Sequence, residues 1–103
     1  MAKKKTKETR AIERLLAKHF PNHPPDYPPS AYRYNLASIR VRVVDESFRG
    51  KSRGDRDRMV LPVIRTLPDD TRSDVTLLLL LTPEEVEESI ANLEFNRPSP
   101  SRL

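Results

Sequence analysis

Hydrophobic and polar positions change period several times along this chain, and each change marks a predicted element. Between Thr6 and His19 the apolar residues Ile12, Leu15 and Leu16, with Phe20 just beyond, fall on one helical face among charged neighbours, and Pro21 ends the pattern. The spacing predicts a first helix whose apolar stripe belongs against a sheet. Residues 21–30 hold Pro21, Pro24, Pro25, Pro28 and Pro29, whose fixed φ excludes both helix and interior strand, so this stretch reads as a stiff connector. Tyr32-Arg33-Tyr34 then alternates, and Ile39-Arg40-Val41-Arg42-Val43 alternates more cleanly, which turns Ile39, Val41 and Val43 to the core and Arg40 and Arg42 outward. The two runs are two strands or one long bent strand, because Leu36-Ala37-Ser38 offers no glycine for a tight turn.

Past a polar crossover the helical period returns in Val60, Val63, Ile64 and Leu67. Ser52 is placed to cap this helix, with Asp55 reaching back to complete a capping box, so the helix is predicted to start near Arg53. Pro62 lies inside it and predicts a kink or a restart. Leu67 to Arg72 reads as a turn. Ser73 to Leu81 reads as a strand whose near-continuous leucines imply burial on both faces and a central place in the sheet. Thr82, Pro83 and Glu85 form a second capping signal, opening a last helix with Val86, Ile90 and Leu93 as its apolar face. Its carboxylates Glu84, Glu85, Glu87 and Glu88 read as a solvated surface. The predicted order is helix, strand, strand, helix, strand, helix.

Composition narrows this to one small domain. The chain has 103 residues, 36% hydrophobic and 33% charged, with ten prolines and two glycines. That suffices for one modest core over residues 6–95, between a disordered basic arm at 1–5 and a disordered tail at 96–103. The formal charge of +4 and a pI near 9.7 favour an anionic partner. There is no cysteine, which excludes disulfides, thiol nucleophiles and thiolate metal sites, and points to an intracellular, cytoplasmic setting. Lys3-Lys4-Lys5 is followed by a polar helix where a signal peptide needs an apolar run, and the leucine run ending at Leu81 is far shorter than the roughly 20 residues that cross a bilayer. A soluble protein without membrane attachment, a monomer or weak dimer, is expected.

The candidate chemistry lies in the crossover. Arg49, Lys51, Arg53, Arg56 and Arg58 face only Asp55 and Asp57 in sequence, and they flank Gly50, Ser52 and the anion-attracting start of a helix. Such a segment can hold phosphate. Gly50-Lys51-Ser52 imitates the end of a P-loop, but the first glycine of that motif would fall at Asp45, which excludes nucleotide binding by that route. His19 and His23 are four residues apart, yet Pro21 breaks the helix that would align them on a metal and no third ligand is near. No serine, histidine and carboxylate set is present, so no enzyme is expected.

Phe48-x-Gly50-Lys51-Ser52, then Arg56-x-Arg58-x-Val60, resembles the Phe-x-Gly-x-Ser and Arg-His-Arg-x-Val signature of the BolA family, and Leu81-Thr82-Pro83-Glu84-Glu85 is similar to the stretch that closes that family's last strand. The similarity covers roughly Ile39 to Ile90. It implies a small three-stranded mixed sheet with helices packed on one face, similar to the class II KH fold, and the two strands of a hairpin between residues 31 and 44. It also implies one of two roles. The first is nucleic-acid binding, to DNA or RNA, in stress response or transcription regulation. The second is service as an adaptor for a protein partner such as a monothiol glutaredoxin, around a shared iron-sulfur cluster. Asp57 stands where the family has the histidine of Arg-His-Arg, and Asp74 where it has the cluster-ligating histidine, while the ligand of the first hairpin loop has no counterpart. Carboxylates suit iron-sulfur ligation far less well than imidazole or thiolate, so no cofactor and no metal is expected.

Overall fold

The computed structural model describes residues 3–101; residues 1 and 2 of the expected arm (1–5) and residues 102 and 103 of the expected tail (96–103) lie outside the described residues. Helix α1 spans Lys7–His19. Its start is fixed by a reciprocal pair: Thr6 Oγ1 accepts from Thr9 N, and Thr9 Oγ1 accepts from Thr6 N at 2.8 Å. Ile12 and Leu16 are fully buried and Phe20 nearly so. His19 and His23 each place Nδ1 against a backbone carbonyl, of Leu15 and Phe20 respectively.

Strands β1 (Ser30–Asn35) and β2 (Ser38–Val44) form an antiparallel hairpin. The turn without glycine is closed by a side chain: Asn35 Oδ1 accepts from Ala37 N at 2.9 Å, and the register shifts between Arg33 and Asn35. Helix α2 covers Arg53–Ile64, a short helix α3 covers Asp69–Asp74, strand β3 covers Val75–Leu81, and helix α4 covers Ile90–Asn96. The fold class is therefore α+β, with a three-stranded mixed sheet ordered β1-β2-β3 in which β2 runs antiparallel to β1 and parallel to β3. The expected order of major elements is found, with α3 added. The main core lies under α1 and α2, where Ile12, Leu16, Val60 and Ile64 meet Ile39, Val41, Val43 and Leu80.

The structure departs from the sequence reading at several places. The leucine strand is at an edge, since the hairpin gives β2 one neighbour and the parallel crossover gives it the other; Leu80 and Leu81 are buried but Leu77, Leu78 and Leu79 only half so. Ser73 and Asp74 belong to α3, which starts behind Pro68 with Asp69 and Asp70 in its first turn, where carboxylates complement the helix dipole. α2 runs unbroken through Pro62, which excludes the restart among the two expected outcomes. The last helix is divided: Pro83–Glu85 is a single 3-10 turn, and Ser89 caps a separate α4, with its hydroxyl accepting from Asn92 N at 3.0 Å. This break rotates the expected apolar face, so Val86 is buried while Ile90 and Leu93 are 83% and 63% exposed.

A further departure concerns layering. α1 and α2 share one face, as expected, but α4 lies against the other. Tyr32 packs against Phe95 in a tilted arrangement, ring centroids 4.8 Å apart, and donates from its hydroxyl to Phe95 O at 2.6 Å. Arg42 does point away from the main core, yet it is only 8% exposed, because it donates to Asn92 Oδ1 and Asn96 Oδ1, both at 2.9 Å, and lies over the Phe95 ring. Lys3 to Lys5 also carry contacts: Lys4 exchanges two backbone bonds with Arg33 on the outer side of β1, and Lys5 pairs with Glu13.

Candidate functional site

The crossover leaves β2 through Asp45, which is fully buried. Its backbone N-H donates to Leu81 O at 3.0 Å and its Oδ1 accepts from Ser47 N at 2.9 Å, so it ties the crossover to the end of β3 while capping a 3-10 turn at Glu46–Phe48. Phe48 drops into the core against Phe20, ring centroids 5.5 Å apart. The chain then reverses at Gly50, whose φ of 74° suits a residue without Cβ. Ser52 caps α2 by accepting from Asp55 N at 3.1 Å. The second half of the expected capping box is missing, because Asp55 instead accepts from Arg58 at 2.7 Å; an aspartate is one methylene shorter than the glutamate that usually reaches back.

The five basic side chains have different fates. Arg49 is held by two carboxylates: it donates to Glu84 Oε2 at 2.6 Å and to Glu46 Oε2 at 2.8 Å, which raises its own pKa and holds Glu84 below the usual carboxylate range. Arg56 is the most enclosed, with 12% of its side chain exposed. It donates to Glu85 at 2.6 Å, to Leu80 O at 3.0 Å and to Lys51 O at 3.1 Å, and it depresses the Glu85 carboxyl. Arg58 is exposed and paired with Asp55. The side chains of Lys51 and Arg53 are exposed and make no hydrogen bond or ion pair among the described residues. The structure thus brings all five to one end of the molecule but leaves two of them free for a ligand.

Arg53 and Asp57 line two adjoining stretches of an open groove between α2 and the outer edge of β3, with Leu78 between them. Asp74 lies elsewhere: it accepts from Arg33 at 2.9 Å, and Arg33 also pairs with Glu8. No bond joins Asp57 to Asp74, and among the described residues no group of three or more histidine or carboxylate side chains is arranged to hold a metal ion. No helix among the described residues is long and apolar enough to cross a membrane.

Sequence reasoning missed the partners that neutralise the basic segment. Glu84 and Glu85 read in the sequence as a solvated surface and Glu46 carries no signal there, and only the parallel pairing of β2 with β3 brings Glu84 and Glu85 to Arg49 and Arg56. No family model, curated protein or solved structure matches the chain.

Proposed function

We propose that the chain is a BolA-like, non-enzymatic regulatory protein of the cytoplasm that binds nucleic acid through the strand-to-helix crossover. The observation that supports this reading is the pair of unengaged cations, Lys51 and Arg53, on either side of the Ser52 cap of a 12-residue helix. Ser52 satisfies Asp55 N with its side chain and Arg56 N with its carbonyl. The N-H groups of Arg53 and Gly54 precede the first intrahelical bond and point out of the helix start, where an anion is favoured. A phosphate at that point meets two backbone donors and two cations. Contacts of this kind fix a nucleic-acid backbone without reading base edges, so binding is weakly dependent on sequence.

The test is titration of the protein against short DNA and RNA at two salt concentrations. Two phosphate contacts give a log-log salt slope of about −1.8 on duplex and about −1.4 on single strands. Replacing Lys51 and Arg53 together by Ala should remove most of that slope. A flat titration at low salt by folded protein would sink the reading. A second reading, an adaptor for a protein such as a monothiol glutaredoxin with no cluster ligands of its own, is favoured by one observation: Arg49, Arg56 and Arg58 are already committed to carboxylates. It predicts that the same double replacement changes no nucleic-acid affinity.

A further inference from the structure

We propose that the outer edge of β3 is a docking site for an extended, acidic segment of another protein, which adds to the sheet as a fourth strand. The inference rests on the sheet edge and not on phosphate binding. The edge is open, with Leu80 O near its end already met by Arg56. The two sheet margins differ: Lys4 pairs with Arg33 beside β1, whereas among the described residues no strand lies beyond β3. Edge strands are normally blunted by charge, proline or a covering segment, but Val75–Leu81 reads Val-Thr-Leu-Leu-Leu-Leu-Leu, with neither charge nor proline.

The direction of the backbone groups follows from two bonds. Leu81 O accepts from Asp45 N, so the main chain of Leu81 faces β2; alternation turns Leu80 outward, and Arg56 meets Leu80 O from that side at 3.0 Å. Leu78, two residues earlier, presents its N-H and C=O to the groove in the same way. An added strand supplies an acceptor and a donor to Leu78 together. A nucleic-acid backbone offers chiefly acceptors at its phosphates and leaves the carbonyl unmet.

Charge selects the occupant. The unengaged ionic groups along the groove are Lys51, Arg53 and Arg65, against Asp57. A second copy joined edge to edge by a two-fold axis would bring these cations toward their own equivalents, whereas a segment bearing carboxylates complements them. The cations lie on α2 and just beyond its two ends, so the carboxylates of the added strand face α2. Its alternate apolar side chains cover half-buried Leu77 and Leu79 and reach Ala91 on the opposite face.

The experiment uses the full chain and an eight-residue, end-blocked peptide of alternating valine and glutamate, followed by amide hydrogen exchange. The peptide is expected to slow exchange at Leu78 at least about tenfold. N-methylation of one alternate set of its amides should abolish the effect, and methylation of the other set should not. A lysine-for-glutamate peptide should fail, and Arg65→Glu, at an exposed position, should weaken binding about threefold to tenfold. No slowing at millimolar peptide, or equal binding by the lysine peptide, overturns the proposal. So does protection of Leu78 that grows with protein concentration alone, which assigns the edge to a second copy, and so does protection by a single-stranded oligonucleotide but not by the peptide.

Discussion

Arg42 is the side chain on which the α4 layer depends. It was legible as an outward residue of an alternating strand, but its burial was not, because nothing near it in sequence announces Asn92, Asn96 or Phe95. Its Nη1 donates only to neutral amide oxygens and its guanidinium lies over an aromatic face, without a carboxylate partner and with Nε buried and unbonded, and burial accordingly lowers its pKa. Asn92 is itself buried and donates to Val86 O at 3.1 Å, so Arg42, Asn92 and the turn ahead of α4 form one network. Truncation to Ala leaves the Asn92 and Asn96 oxygens without their donor and opens space beneath Phe95. We expect Arg42→Ala to cost about 2–4 kcal/mol, read by urea denaturation, with tyrosine fluorescence reporting early loosening around Tyr32. Arg40→Ala, on a neighbouring but more open cation that lies 3.6 Å over the Tyr34 ring, should cost clearly less.

At the scale of elements, legibility tracked locality. α1, β2 and the Ser52 cap were readable because periodicity and capping act within a few residues. The last helix was misread because two cap signals compete: Thr82 with Glu85, whose carboxylate accepts from Thr82 N at 2.8 Å, and Ser89 with Asn92. The first starts only a 3-10 turn. The basic crossover was legible as a basic segment and illegible as a site, since its occupancy depends on Glu84 and Glu85, which arrive through a parallel pairing. That junction sets a pH dependence. Glu85 is depressed chiefly by its bonds to Arg56, so its folded pKa lies below the unfolded value near 4.3. The stabilisation it brings is full above that unfolded value and is lost as pH falls through the lower folded one. Melting temperature should therefore fall through the acid range more steeply in the wild type than in Glu85→Gln, which lacks this titration and starts lower at neutral pH. Parallel curves would show that the α2 junction does not depend on the Glu85 charge.

Across the whole molecule, the basic excess and the apolar edge meet at one place. The carboxylates of Glu46 and Glu84 hold Arg49, so the charge available to a polyanion is smaller than the count of arginines implies. Replacing both glutamates by Gln should release Arg49 and steepen the salt slope for duplex DNA by about 0.9; an unchanged slope would place Arg49 off the path of the nucleic acid. The parallel pairing of β2 with β3 has a kinetic consequence. β2 can zip to β1 through a two-residue turn, but its other partner is reached only after the crossover, α2 and α3 have been traversed, and closing so long a loop is slow relative to forming a hairpin. Until that closure the leucine segment has neither neighbour nor cover, and unpaired strands of this kind associate between chains. Refolding should therefore be well behaved when dilute and lose yield as protein concentration rises. Thr76→Lys, at an exposed position of β3, should restore that yield while leaving the dilute folding rate nearly unchanged.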